Sequence, residues 1–79
     1  MILKNKQELI EKLAELEHEQ WKYFAKGILE SERRISMVRR LRWKALFIPY
    51  AQLTNEQKED DRKWAREVIK IFEKEGNYG

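Results

Sequence analysis

The chain has no cysteine, one proline, one histidine and three glycines in 79 residues. Without cysteine there is no disulfide framework and no thiol chemistry. One histidine cannot build a zinc site alone, and no carboxylates recur at metal-ligand spacing. No cofactor is expected. Long apolar runs are also missing. The Met1-Ile2-Leu3 start breaks at Lys4, so it does not read as a signal peptide, and no stretch approaches the roughly 20 residues of a membrane span. A cytoplasmic setting without membrane contact is the expectation. No segment alternates with the period of a strand. Repeats, low-complexity stretches and linkers are absent as well.

What remains is charge and helical periodicity. Seventeen basic and fourteen acidic residues leave a net charge of +3, compatible with an anionic partner but not diagnostic of one. A chain this short makes one domain, residues 1–79, with a small core. The free monomer is then marginal, and pairing with copies of itself or with a ligand would add stability.

The pattern predicts an all-α, compact domain of three helices. Asn5-Lys6-Gln7-Glu8 has capping-box spacing and opens the first helix. Leu9, Ile10, Leu13, Ala14, Trp21, Phe24, Ala25 and Ile28 follow at helical intervals. Gly27 weakens the end of that helix, and Ser31 can cap a second one from about residue 32 to 46. The apolar side of the second helix holds Ile35, Val38, Leu41 and Ala45. Ile48 precedes Pro49 and is pushed out of helical geometry, so 47–48 is extended. A Pro-Tyr turn, residues 49–53, separates helices 2 and 3. Thr54-Asn55-Glu56-Gln57 is a second capping box. The third helix carries the stripe Trp64, Ala65, Val68, Ile71 and Phe72 and stops at Gly76, leaving Asn77-Tyr78-Gly79 to fray.

Several polar residues fall on apolar arcs when each helix is drawn at roughly 100° per residue. Glu17 lies inside the first arc and His18 at its edge. Arg42 lies inside the second arc, with Arg34 one or two turns earlier. Asp61 lies inside the third, with Lys58 at its margin. Charge there is costly unless paired or used. One solution is a partly buried network of Glu17, Arg42 and Asp61, completed by His18, Tyr50 or Arg62. Such a network can simply fix how the helices pack. Equally, an arginine held by a carboxylate at the base of a cleft can receive an anion, because its planar fork suits phosphate.

The aromatics carry the same two readings. Trp21, Trp43 and Trp64 at helical spacing are by default core. Trp43 lies off its apolar arc among basic residues, where it could cover the Pro49 turn or stack on a base. His18 reads as a satisfied core-edge donor before it reads as a catalytic base. No nucleophile or paired acid suggests a reaction, so no enzyme is expected. The basic set Arg33, Arg40 and Lys44 shares one face, but the acidic third helix (Glu56, Glu59, Asp60, Glu67, Glu73) opposes a nucleic-acid backbone.

The polar landmarks also form a pattern: His18-Glu19-Gln20-Trp21, then Arg42-Trp43, then Pro49-Tyr50 with Leu53, Lys58, Asp61, Arg62, Trp64 and Ala65. This pattern resembles the ryanodine-receptor repeat (RyR) domain family, in its free-standing bacterial and phage form. The resemblance runs from about Leu13 to about Val68. It departs where channel repeats have a glycine- and tyrosine-rich stretch, since this chain has Lys26-Gly27-Ile28 and a charged helix there. The resemblance implies a compact helical fold that forms its cleft in pairs, hence a homo-oligomer. It also implies sensing or sequestration of a nucleotide-derived signal, as a phage anti-defence protein would do.

Together these readings give a working expectation. A small anionic, nucleotide-like ligand binds without catalysis in a cleft of His18, Trp21, Arg42, Trp43, Tyr50, Lys58 and Arg62, with Glu17, Arg34 and Asp61 orienting the cations. The main rival is a protein-interaction adaptor presenting Trp43, Phe47, Ile48 and Tyr50 as an apolar patch. A nucleic-acid binder is the lesser rival.

Overall fold

The computed structural model describes residues 5–76. The Met1-Ile2-Leu3-Lys4 start and the Asn77-Tyr78-Gly79 tail lie outside the described residues. Among these the protein is all-α: α1 spans Lys6–Ser31, α2 Met37–Lys44 and α3 Asn55–Gly76, with a 3-10 turn at Tyr50–Gln52. No strand occurs among the described residues.

The capping signals work as the sequence implies. The Asn5 side chain accepts from the Glu8 N–H at 2.9 Å. At α3 the exchange is reciprocal: Thr54 N–H donates to Gln57 Oε1 at 2.9 Å, and Gln57 N–H donates to Thr54 Oγ1 at 3.1 Å. Two of the orphan donors at that helix start are thereby satisfied. The Pro49 backbone (φ −59°, ψ 147°) is extended, and it delivers the chain into the single 3-10 turn.

The second helix is shorter than the sequence suggests, and the boundary before it moves. Gly27 does not end α1, which continues to Ser31. Ser31 is no N-cap. Its hydroxyl donates back to the Gly27 carbonyl at 2.9 Å, the bond that a serine inside a helix makes to the preceding turn. Glu32 then leaves helical geometry, and its side chain accepts from the Arg34 N–H at 3.0 Å. Ser36 caps α2 instead, accepting from the Arg39 N–H at 3.2 Å. Residues 32–36 are therefore a connection, and Arg33 and Arg34 lie outside any helix.

α1 and α3 run antiparallel, as the pairs Lys6–Glu73, Glu11–Arg62 and His18–Asp61 require. The core between them is thin: Ile10, Ala14, Tyr50, Leu53, Ala65 and Ile69, flanked by Leu9, Leu13, Leu46 and Ile48. Ala14 and Ala65 are completely buried. Buried or half-buried positions on α1 recur as Glu11, Ala14, His18, Trp21, Ala25 and Ile28. These spacings alternate between three and four residues, the seam of two helices packed lengthwise.

A seam that narrow covers the expected apolar arc of α1 except Phe24 and leaves most of the arcs of the second and third helices uncovered. On α3 only Ala65 of the expected stripe is buried, and Ile69 takes the next core position. Trp64, Ile71 and Phe72 are exposed. On α2, Val38, Leu41 and Ala45 are exposed, as is Met37, while Arg40 and Trp43 turn inward. The principal extents are 49 × 24 × 21 Å. The molecule is a helical rod with a short second helix at one end.

Candidate functional site

The buried charge is organised around Glu11, a residue absent from the sequence-based network. Tyr50 Oη donates to Glu11 Oε2 at 2.7 Å, and Arg62 Nε donates to Glu11 Oε1 at 2.6 Å. Lys58 Nζ sits 5.4 Å from the centre of the Tyr50 ring, a cation–π distance. Burial pushes the Glu11 carboxyl upward. The hydrogen bonds from Tyr50 and Arg62, with the charges of Arg62 and Lys58, more than offset this and hold it below the usual range. Burial, followed by the bond to Glu11, pushes the Tyr50 hydroxyl up to about 12. The bond to Glu11 likewise raises Arg62. Three residues read as ligand-binding, Tyr50, Lys58 and Arg62, are thus gathered on a carboxylate of α1. There they tie the 3-10 turn and α3 to α1.

His18 is almost fully buried. Its Nε2 lies 2.7 Å from the Ile48 carbonyl oxygen. A carbonyl can only accept, so Nε2 carries a proton and donates. Nδ1 faces Asp61 Oδ2 at 3.8 Å. Burial, reinforced by Glu17 and Asp60, raises the Asp61 carboxyl above its usual value, against the pull of His18. His18 therefore fixes the segment before Pro49 to α1, and it does so as a donor.

Trp21 is half-buried among aromatic rings. Its centroid is 6.0 Å from Trp43, edge to face, 5.7 Å from Phe47 and 6.2 Å from His18. Trp43 is therefore the ring that holds α2 against α1. Arg40 seconds it, donating from Nη1 to the Leu29 carbonyl at 2.9 Å. That contact points Arg40 at the end of α1 and removes it from the proposed basic face of Arg33, Arg40 and Lys44. Lys26 Nζ lies 5.4 Å over the Phe47 ring. Tyr50 is buried and Trp43, Phe47 and Ile48 are half-buried, so they do not form the exposed patch expected of an adaptor.

The network of Glu17, Arg42 and Asp61 does not assemble. Arg42 is exposed on α2, and Arg34 is exposed in the preceding connection. The helical arc that placed Arg42 inward assumed a covered second helix, and α2 turns a different side to α1. Glu17 and Asp61 do meet, in a cleft between α1 and α3 of about 340 Å³. Its walls are Glu17, His18 and Trp21 from α1 and Gln57, Asp60, Asp61 and Trp64 from α3, over Leu46 and Leu53. Of the seven residues read as ligand-binding, His18 and Trp21 line this cleft, whereas Arg42, Trp43, Tyr50, Lys58 and Arg62 do not.

The cleft's character follows from that lining. Three carboxylates and two indoles face it, and no lysine or arginine does. Indole faces attract cations and planar donors, and carboxylates accept hydrogen bonds and oppose anions. No group of three His, Cys, Asp or Glu among the described residues is arranged to hold a metal ion. Sequence reasoning missed Asp60 and Gln57 as cleft residues. The available signal was their spacing, since 57, 60, 61 and 64 fall on one side of α3 at helical intervals.

No family model, curated protein or solved structure matches the chain. No helix among the described residues is long and apolar enough to cross a membrane.

Proposed function

We propose that the protein is a non-catalytic binding module whose cleft between α1 and α3 takes a small organic cation, an ammonium or guanidinium group. The observation that carries this reading is the lining: Trp21 and Trp64 with Glu17, Asp60 and Asp61, beside His18, in a space of about 340 Å³ that no lysine or arginine lines. That volume suits a compact ligand. A cation over an indole gains about 0.5–2 kcal/mol, more as water is excluded. The carboxylates supply the countercharge; burial raises Asp61, and Glu17 and Asp60 add to that rise against the pull of His18. Buffering or sensing of such a cation requires no reacting group.

The reading keeps ligand binding without catalysis and reverses the sign of the ligand expected from sequence. The phosphate-taking roles read for Arg42, Lys58 and Arg62 have no seat in this cleft, and Arg62 and Tyr50 are occupied by Glu11. The RyR resemblance supports a ligand-binding role in general terms and leaves the ligand's charge to the lining. A second reading, the protein adaptor, is favoured by a different surface from the one expected: Met37, Val38 and Leu41 of α2 are all exposed beside basic residues.

A thermal-shift panel tests the proposal, since a ligand that binds only the folded form raises Tm with its concentration. Agmatine, choline and arginine amide are the cationic arm. Adenosine monophosphate and a cyclic dinucleotide are the anionic arm. A shift confined to the cationic arm, and lost at high salt, supports the reading. A shift confined to the anionic arm rejects it and restores the nucleotide ligand.

A further inference from the structure

The protomer exposes far more surface than a folded monomer of its size. A chain of 9.7 kDa is expected to expose about 5,100 Å² when folded alone. This one exposes 6648 Å². The excess, about 1,500 Å², is of the size that one protomer contributes to an obligate homodimer. The radius of gyration agrees, at 15.4 Å against about 12 Å for a compact chain of this length.

Several large apolar side chains on α1 and α3 are among the exposed residues. Trp64 is 59%, Ile71 63% and Phe72 67% exposed on α3, and Leu16 is 52% exposed on α1. Val68, Leu9 and Leu13 are half-buried beside them. Two hollows along the α1–α3 seam are walled in part by Trp64, Leu9 and Phe72. One joins Glu17 and Trp21 to Trp64, and the other joins Leu9 to Phe72. The stripe Leu9, Leu13, Leu16, Gln20 and Phe24 along α1 holds no charged residue, so nothing on it repels an identical stripe. Exposed large apolar side chains grouped along one side of two packed helices mark an interaction site.

We infer that this face pairs with a second copy of the chain, making an antiparallel four-helix arrangement from two α1–α3 hairpins. A twofold axis perpendicular to the face, near Leu13 and Val68, makes the contact self-complementary. It also sets the carboxylates Glu17, Asp60 and Asp61 of each copy over the Leu9–Phe72 end of the other, where Lys6 and Glu73 pair at 3.0 Å. Pairing in register would stack the two carboxylate sets on each other. The excess area favours a second copy over a small partner, because a two-helix core this thin gains its missing burial from an equal surface. Trp64 belongs both to this face and to the cleft wall, so pairing covers one side of the cleft. The inference stands without the cation reading.

Sedimentation equilibrium of the full chain is the test. The expected mass is twice 9.7 kDa, dropping to the protomer mass for Ile71→Glu and for Leu16→Glu. Both side chains are more than half exposed in the protomer, so circular dichroism should report the helices retained. Leu41→Glu, equally exposed but on α2, should leave the dimer intact. As a second measure, Val68→Cys introduces a thiol beside the axis of a chain that has none and should cross-link under mild oxidation, whereas Tyr23→Cys should not. A wild-type protein that stays at the protomer mass at millimolar concentration overturns the inference. So does a dimer broken by Leu41→Glu and untouched by Ile71→Glu.

Discussion

Arg62 Nε lies 2.6 Å from Oε1 of Glu11, 51 residues away in sequence, and this pair closes the α1–α3 hairpin. The other oxygen of Glu11 takes the Tyr50 hydroxyl. One carboxylate therefore joins three segments of the chain: α1, the turn after Pro49 and α3. The partly covered geometry suits such a role, because charge-assisted bonds are stronger than neutral ones while some solvent still reaches the ions.

Removing one arm of this junction should destabilise the fold without touching the cleft. Tyr50→Phe is expected to cost about 1.5–3 kcal/mol in urea unfolding, the loss of one hydrogen bond to a charged acceptor. Arg62→Ala should cost more, since it leaves Glu11 part-buried without its counter-ion. Ligand affinity measured on the folded fraction should stay unchanged for both. A selective loss of binding with wild-type stability would return these residues to the ligand.

The pH dependence has two opposite parts. The folded Glu11 carboxyl lies below its usual 4.5, so its contribution is present above that value and is lost as pH falls through the folded pKa. Asp61 lies above its usual 3.8, so its contribution is present at low pH and is lost as pH rises through the folded pKa. Glu11→Gln should flatten the acid limb of the stability profile. Asp61→Asn should leave the protein at least as stable as wild type near neutral pH, because Asp61 holds no buried arginine. Stability curves measured from pH 3 to 8 check both signs; a marked destabilisation of Asp61→Asn at neutral pH would contradict the assignment.

Gly27 offers a cleaner test of the helix boundary. It lies inside α1, and a Cβ added there meets nothing within 4 Å. Gly27→Ala should therefore raise stability by about 1 kcal/mol, the difference in helix propensity. If α1 ended at Gly27, the substitution would be neutral or unfavourable.

Local signals in this sequence were legible and long-range ones were not. Asn5 with Glu8, Thr54 with Gln57, and Pro49 before Tyr50 each act within one turn, and each set a boundary correctly. Ser31 was ambiguous because a serine can cap a new helix or bond back into the old one, and only the continuity of α1 decides. Trp64, Ile71 and Phe72 looked like core because helical periodicity reports which residues share a side, not whether anything covers that side. Glu11 was missed because it sits two turns before His18, at the margin of the apolar arc, and its partners come from residues 50 and 62. Glu17, His18, Trp21 and Asp61 were singled out for polar or aromatic character on a buried arc, and these four do line the cleft.

Asp60 separates cleft chemistry from scaffold. It is exposed at the cleft wall, so Asp60→Asn should leave Tm without ligand within a degree or two. Its affinity for a cationic ligand should fall about threefold to tenfold, the scale of one partly screened charge. Isothermal titration calorimetry with agmatine reads this directly. Equal affinity in the variant would move the cation away from α3.

The most direct measurement is a nuclear magnetic resonance titration of the ¹⁵N-labelled protein, following the indole N–H signals of Trp21, Trp43 and Trp64. Agmatine should shift Trp21 and Trp64 in a saturable way and leave Trp43 nearly still, while adenosine monophosphate should move none of them. Saturable shifts at Trp43 with adenosine monophosphate, and none at Trp64 with agmatine, would contradict the account.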